Sequence, residues 1–365
     1  MMTSRERIEA ALNHREPDRT PIFEYVILYP MAERLLGRPC AENPEHWAGL
    51  EAEQGWEHAV RQLARDRLDL SCLLGHDMIY AVPAPTPRHV QETPHDAPPK
   101  PSVDPVERVR MRNERARQTP PFDEGHFKVY RCMKDEMAGR GVDLPLMAPA
   151  YGHGVWTDTD LMMVMLMAPD VAAEHFALAT WKMMAWVEAY LELGIDMIGV
   201  GGDFAGNRPL ISPESYRTFM VPEVRKLSRR IHEDGRYAVN ASDGDLWPVI
   251  DDFLFGCEVD GYLEIDHQAG MDMRRLKEAY GDRIVLFGNL DCGNVLSFGT
   301  TEEVRRHVID CIEAGMGKGG HIFSASNAIT DSVPMANYLT VVNTYREVFG
   351  LPRLDPAFQR HFAGQ

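Results

Sequence analysis

The sequence predicts an α/β fold in which eight parallel strands alternate with helices and close into a (β/α)₈ TIM barrel. The first observation is that short apolar runs recur along the 365 residues, with amphipathic stretches between them. The second is that most of these runs end on a carboxylate, an amide or an imidazole. Because parallel α/β folds bind ligands at the carboxyl ends of their strands, this pattern predicts an enzyme. An open doubly wound sheet is the alternative fold.

The apolar runs are short enough to be buried strands. In chain order the predicted strands cover residues 20–25, 68–74, 144–150, 196–201, 237–241, 261–265, 283–287 and 320–324. Apolar spacing predicts helices over residues 31–36, 44–63 and 169–193.

Three sequence signals mark further helix starts. Thr3 with Glu6 forms a capping box, and Ser212 stands before a proline at the first helical position. Thr300 or Thr301, with the following Glu302 and Glu303, starts the helix before the last strand.

Residues 81–121 interrupt the alternation, since they are rich in proline and charge and show weak periodicity. A loop of this length in a compact domain is usually a lid or an excursion. We therefore predict a single barrel domain over residues 1–365, with an N-terminal helix and a capping insertion at about residues 81–143.

The composition excludes several classes of function. A net charge of −17 argues against binding nucleic acid or an anionic membrane surface, which attract basic proteins. The six cysteines contain no CxxC pair, so we expect reduced thiols in a cytoplasmic protein. The longest strongly apolar segment, residues 161–168, is too short to span a bilayer.

Three segments carry a family resemblance. The first is MTSRERIEAALNHREPDRTP at residues 2–21. The second is GDFAG at 202–206, followed by ISPESYRTF at 211–219. The third is AGMD at 269–272, followed by YGDRIVLFGNLD at 280–291 and TTEEV at 300–304. Together they resemble the uroporphyrinogen decarboxylase superfamily over nearly the whole chain. The resemblance implies one of two chemistries: decarboxylation of uroporphyrinogen, or methyl transfer to or from the cobalt of a corrinoid protein, often with zinc.

The decarboxylase pattern places an Arg-Gln-Ala-Gly-Arg type segment after the first strand, where guanidinium groups meet the substrate carboxylates. This chain has Glu24 and no arginine up to Tyr29. An acidic group there would repel a substrate with eight carboxylates. Asp77 lies about where the decarboxylase pattern has an aspartate that binds the pyrrole N–H groups, so decarboxylation stays an alternative.

The zinc methyltransferases carry His-x-Cys after strand five and Cys or His after strand eight. The corresponding residues here are Asn240, Ser242 and Asn327. Neither an amide nor a neutral hydroxyl replaces a zinc ligand well, so zinc is not expected. A rearranged metal site is an open alternative, built from other polar strand ends: Glu24, His153, Asp203, Asp243 and Glu264.

The substituted positions suggest a third kind of site, which forms hydrogen bonds without binding a metal. Amides can bind a pterin, and a nearby carboxylate can protonate a heterocycle nitrogen, as a methyltransferase that uses a folate requires. The predicted catalytic residues are Asp203, Asp243, Glu264 and Asp291. The predicted substrate-binding residues are Glu24, Asp77, Tyr151, His153, Asn240, Ser242, Asn289 and Asn327.

The resemblance therefore implies a methyltransferase that acts on a corrinoid carried by a partner protein, with a tetrahydrofolate or O-methyl compound as the small-molecule substrate. Two alternatives stay open: a porphyrinogen decarboxylase, and a tetrapyrrole-binding protein without catalytic activity. Members of the superfamily often form homodimers, which leaves a homodimer open here.

Overall fold

The computed structural model describes residues 1–87 and 104–355. The chain folds into two compact units. The first unit comprises Met1–Ala84, Lys128–Met147 and Leu263–Gln365, and the second comprises Pro85–Phe127 and Ala148–Tyr262. Part of the predicted insertion at 81–143, residues 88–103, lies outside the described residues. The single domain and the capping role of the insertion stay predictions.

The α-helices are the most extensive secondary structure of the described residues. They are α1 (Ser4–Leu12), α2 (Tyr29–Leu36), α3 (Pro44–Gln54), α4 (Trp56–Leu74), α5 (Pro105–Gln118), α6 (Lys128–Arg140), α7 (Thr159–Met167), α8 (Pro169–Glu192), α9 (Pro213–Ser215), α10 (Val221–Glu233), α11 (Met273–Tyr280), α12 (Thr301–Gly315) and α13 (Met335–Val348). Within residues 1–87 and 104–355, no helix combines the length and the apolar character needed to cross a membrane.

The strands are short, and their order in the sheet is their order in the chain. They are β1 (Ile79–Tyr80), β2 (Leu146–Pro149), β3 (Met197–Gly201), β4 (Tyr237–Ala241), β5 (Gly261–Leu263), β6 (Val285–Phe287) and β7 (His321–Ile322). The pairs β1–β2, β3–β4 and β6–β7 are parallel. Six of these strands lie within the strands predicted from residue 144 onwards.

The segment around Ile22 occupies the place of a first strand. Ile22 forms a parallel bridge with Phe323, just after β7. On its other side, the Ile22 carbonyl accepts a hydrogen bond of 2.7 Å from the Asp77 amide, just before β1. Parallel strands in chain order, with a first segment bonded to both neighbours, confirm the predicted (β/α)₈ fold class.

The predicted strand over residues 68–74 is wrong, because these residues are the last two turns of α4. The side chains of Leu63, Arg67, Leu70 and Leu74 are buried at helical spacing. Gly75 then ends the helix in the left-handed conformation, with φ 74°. A short apolar run does not by itself distinguish a buried helix from a strand. The helix predicted over 44–63 is likewise two helices, which meet at Gly55.

The predicted helix starts are confirmed. Thr3 and Thr300 each form a complete capping box, and the Ser212 hydroxyl accepts a hydrogen bond from the Ser215 amide. These caps satisfy amide groups that the first turn of a helix leaves without partners.

The outer core of the first unit lies between the Ile22 segment and the surrounding helices. Ile22 packs in one buried cluster with Leu35 of α2, Leu70 of α4 and Tyr338 of α13. The next residue, Phe23, contacts the Phe287 ring at 5.9 Å between centroids. Since side chains alternate along an extended segment, Ile22 and Glu24 face the helices, and Phe23 faces the opposite side.

Asp77 holds the first segment, α1 and β1 together. Its carboxylate is fully buried and lies 2.6 Å from the Arg7 guanidinium and 2.6 Å from that of Arg19. It also accepts hydrogen bonds from the Ser4 hydroxyl and the Ile22 amide. Asp77 precedes β1 and its oxygens are occupied inside the protein, so the structure gives it a structural role.

We expect Asp77→Asn to destabilise the protein by about 3–5 kcal/mol, because it leaves two guanidinium groups without their buried anion. Urea unfolding measures this difference. The control is Asp143→Asn, which removes a surface ion pair with Arg5 and should cost about 0–1 kcal/mol. Equal effects of the two substitutions would contradict the assigned role of Asp77.

Candidate functional site

The carboxyl group of Glu24 is buried at the end of the first segment. One oxygen, Oε2, accepts a hydrogen bond of 3.1 Å from the Ala325 amide. The other, Oε1, has only a long hydrogen bond of 3.5 Å from the Tyr338 hydroxyl. Burial raises the pKa of Glu24 from 4.5 to about 8, more than these two hydrogen bonds lower it. Glu24 is therefore a neutral carboxylic acid at pH 7, and it can donate a hydrogen bond.

Glu24 opens onto a cavity of about 150 Å³ within the first unit, which we call the α2/α4 pocket. Its wall is mostly apolar or aromatic and includes Tyr25, Leu70 and Tyr80. The Tyr25 and Tyr80 rings pack at 4.4 Å between centroids. The polar part of the wall includes His76 and Arg67.

Asp203 is the principal candidate acid of the second unit. It follows β3, and its Oδ1 accepts a hydrogen bond of 3.2 Å from the Asp243 amide. Burial raises the pKa of Asp203, while this one hydrogen bond lowers it. No lysine, arginine or histidine within residues 1–87 and 104–355 forms an ion pair with it. Asp203 can therefore hold a proton at a higher pH than an ordinary aspartate.

The backbone around Asp203 requires glycine. Gly202 has φ 136°, and a Cβ atom there would lie 2.7 Å from the Gly154 nitrogen. The Asp203 carbonyl accepts hydrogen bonds from the amides of Val155 and Trp156. The loop after β2 and the loop after β3 are thus held against each other within the second unit, and this contact fixes the position of the Asp203 backbone.

Ser242 and Asp243 lie beside the loop that carries Asp203. The Ser242 hydroxyl accepts a hydrogen bond of 3.4 Å from the Phe204 amide and donates one to the Asp243 carbonyl. Asp243 thus contributes its amide to Asp203, and Ser242 supports the two loops.

The two predicted amides Asn240 and Asn289 are used inside the fold. The Asn240 side chain donates to the Phe253 carbonyl at 3.1 Å and accepts from the Ala241 amide. The Asn289 side chain donates to the Met271 carbonyl at 3.0 Å. Both residues are about 1% exposed, so the structure gives their amides a supporting role.

Asp291 caps the turn that follows β6. Its Oδ1 accepts hydrogen bonds from the Asn294 amide and from Gln268, at 2.9 and 2.7 Å. Its own amide donates to His307. Asp291 is 4% exposed, and its hydrogen bond with the Asn294 amide is that of a helix cap.

Glu264 and Asn327 lie just beyond β5 and β7 in the first unit. Glu264 is buried and adopts φ 67°, a conformation that is strained for a residue with a Cβ atom. Asn327 is half-buried, and its side-chain oxygen accepts a hydrogen bond from the Ala328 amide.

His153 starts a buried hydrogen-bond chain in the second unit. Its Nε2 lies 2.9 Å from the Thr180 hydroxyl, which donates to Glu223 at 2.7 Å. The hydroxyl therefore accepts from Nε2–H, and Nδ1 has no hydrogen-bond partner among the described residues. Burial lowers the pKa of His153 to about 4, so the ring is neutral at pH 7. Nearby, the Tyr151 hydroxyl covers Gly199, where any Cβ atom would collide with it.

Within residues 1–87 and 104–355, no group of three or more His, Cys, Asp or Glu side chains is placed to hold a metal ion.

Several residues of these sites were not found from the sequence. Thr180, Glu223 and Tyr338 lie on helices, far along the chain from the groups that they contact. His76 precedes β1, and it was not recognised as a site residue because residues 68–74 were predicted as a strand. A glycine directly after an apolar run, such as Gly75, is typical of a helix end, and this signal could have corrected the predicted strand.

Comparison with known proteins identifies the relatives of the chain. Residues 145–348 match the family described as uroporphyrinogen decarboxylase (URO-D). The uroporphyrinogen decarboxylase of Roseiflexus sp. (strain RS-1) is 26% identical, over 63% of this chain and 66% of that protein. The one from Geobacter metallireducens is 26% identical, over 65% and 68%. A methyltransferase from Methanosarcina mazei has the same fold, with a TM-score of 0.68 and 17% identity over 96% of this chain and 100% of that one.

The protonated state of Glu24 predicts a pH dependence of stability. Glu24 ionises near its ordinary pKa of 4.5 in the unfolded chain and near 8 in the folded protein. Its contribution is therefore complete below pH 4.5 and is lost as the pH rises to about 8. We expect Glu24→Gln to gain stability over the wild type by about 1.4 kcal/mol for each pH unit within that window. Urea unfolding at several pH values measures the gain.

The control for this titration is Glu9→Gln, which changes an exposed glutamate of α1 in the same unit. The free energy of unfolding of Glu9→Gln should change with pH in the same way as that of the wild type between pH 4.5 and about 8. A Glu24→Gln profile that also runs parallel would contradict a protonated Glu24.

Proposed function

We propose a function for this chain on the premise of its family: it belongs to the uroporphyrinogen decarboxylase (URO-D) family, which matches more than half of its length. We propose that it is an enzyme that transfers a methyl group between a small molecule and a corrinoid on a separate carrier protein. The supporting observation concerns two strand-end acids, Glu24, which is buried, and Asp203, which is half-buried. Both have a raised pKa and no cationic partner among the described residues.

This observation favours methyl transfer over porphyrinogen decarboxylation. A substrate with many carboxylates needs guanidinium groups to hold it. The first segment has no arginine between Glu24 and Tyr29, and Arg67, which lines the α2/α4 pocket, is already paired with Glu42. Glu24 instead offers a neutral acid in a mostly apolar wall. Such groups suit an uncharged methyl compound. The names of the curated relatives keep decarboxylation as the competing activity.

Asp203 is proposed as the proton donor. When the bond between a methyl carbon and an oxygen or nitrogen breaks, its electron pair stays on the heteroatom, and a proton must neutralise the charge that forms there. Because its pKa is raised, Asp203 keeps its proton to a higher pH than an ordinary aspartate and can supply it here. In the reverse direction, the same group accepts the proton as its carboxylate.

The corrinoid is proposed to stay on its carrier. The α2/α4 pocket has a volume of about 150 Å³, below the 300–1,000 Å³ that is typical for drug-sized ligands, and a corrin macrocycle is larger than those. No residue of this chain is assigned to hold it. When bound, the corrinoid would supply the cobalt with which the methyl group is exchanged.

We expect the wild type to transfer methyl groups between methylcobalamin and tetrahydrofolate, or from an aryl methyl ether to reduced cobalamin, in an absorbance assay. Asp203→Asn keeps the shape of the side chain and its contact with the Asp243 amide but cannot carry the proton. It should lower kcat by about 10²–10⁴-fold with little change in KM.

The control is Glu192→Gln, which changes an exposed carboxylate at the end of α8 in the same unit and should keep wild-type activity. Uroporphyrinogen is tested in parallel. Release of CO₂ from uroporphyrinogen without any methyl transfer would overturn the proposal, and so would full activity of Asp203→Asn.

The proposal also predicts the metal content. Because Asn240, Ser242 and Asn327 stand where the related zinc enzymes have ligands, the purified protein should contain well below one equivalent of zinc. Elemental analysis after gel filtration measures this ratio. One tightly bound equivalent, retained after dialysis against a chelator, would contradict a metal-independent site.

A further inference from the structure

The α2/α4 pocket has polar groups that the fold itself does not use. Glu24 Oε1 has only the long contact with Tyr338. His76 is 7% exposed and lines the pocket, and its ring nitrogens form no hydrogen bond with any described residue. Burial lowers the pKa of His76 to about 3, so the ring is neutral and offers one donor and one acceptor. Buried polar groups normally have partners, so these two groups point to a ligand.

The charged side chains of the wall are already paired. Arg67 lies 2.7 Å from Glu42 and also donates to the Val82 carbonyl. Asp66 is paired with Arg38 and accepts a hydrogen bond from the Ala41 amide. A charged ligand would have to break one of these pairs or stay unpaired in a mostly apolar wall, which is unfavourable. An uncharged ligand avoids both costs.

The size and shape of the pocket select a small ring. A dry cavity of about 150 Å³ is large enough to hold benzene. The wall includes the packed rings of Tyr25 and Tyr80 as well as Ile27 and Ile79. Aromatic rings pack favourably against flat partners.

We infer that the α2/α4 pocket binds a small uncharged ring compound, the size of a monosubstituted benzene, which accepts a hydrogen bond from Glu24 and forms another with His76. The site lies entirely within the first unit and is defined by binding alone. The inference names the class of small molecule that the proposed methyl transfer would use at Glu24, and in that respect it rests on the proposed function; the binding itself requires neither a corrinoid nor Asp203.

Calorimetric titration of the full chain with phenol and anisole, without any cobalamin, tests the inference. We expect saturable binding of both compounds with a Kd below about 1 mM, and at least tenfold weaker binding of benzoate, which has the same ring and a negative charge. The absence of saturation with phenol and anisole would overturn the inference, and so would tighter binding of benzoate. Failure of methyl transfer would not affect this result.

Two substitutions locate the binding in the pocket. Glu24→Gln keeps a neutral hydrogen-bond donor and should bind phenol as the wild type does, whereas Glu24→Leu should bind it at least tenfold more weakly. Leu28 lines the pocket at its rim and is 40% exposed. Leu28→Trp should therefore block the pocket while disturbing little of the core.

The matched control is Val348→Trp at the end of α13, outside the pocket wall, where the residue is also 40% exposed. It should bind phenol like the wild type. Unchanged binding by both Leu28→Trp and Glu24→Leu, with circular dichroism showing folded proteins, would overturn the assignment.

Discussion

The buried ion cluster around Asp77 fixes the position of the first segment, and much of the first unit depends on it. The Asp77 carboxylate binds Arg7, Arg19 and the Ile22 amide, while the Asp77 amide binds the Ile22 carbonyl. This double contact sets the register between the first segment and β1. Because side chains alternate along an extended chain, a shift of one residue would turn Glu24 away from Tyr338 and place Phe23 there. The cluster therefore decides which residue faces the α2/α4 pocket.

The sequence predicted the fold well where two independent signals agreed. From residue 144 onwards, apolar runs alternate with helices, several of which have a side-chain cap, and every predicted strand contains an observed one. The failure at residues 68–74 has a physical cause. Leu68, Leu70 and Leu74 would be buried in a strand as well as in a helix. The sequence places Asp69 among them as if on the exposed face of a strand, whereas the structure buries it in ion pairs with Arg38 and Arg140. Those partners are distant in sequence, so no local pattern reveals them.

The strand-end residues show a similar limit. The sequence identified a set of polar groups after the strands, but it could not tell which way each side chain points or what it already binds. Asn240, Asn289 and Asp291 turned out to hold neighbouring backbone groups. Asp203 and Glu24 retain acid groups for which the described part of the chain supplies no cationic partner. The partners Tyr338 and Thr180 come from helices, whose contacts depend on the packing of the whole unit and leave no spacing signal in the sequence.

Burial without a cation changes what these carboxyl groups can do. An acid that is paired with arginine stays ionised and only accepts hydrogen bonds, whereas Glu24, in its apolar wall, keeps its proton near pH 7 and can donate one. Arginines after the first strand would favour an anionic ligand, whereas a protonated glutamic acid there favours a neutral one. In this chain, the protonated Glu24 connects the apolar pocket wall and the paired charges around Arg67 with the proposed preference for an uncharged ligand. The recognition proposed for the first unit thus follows from the cost of burying charge, which disfavours anionic ligands before any specific contact is made.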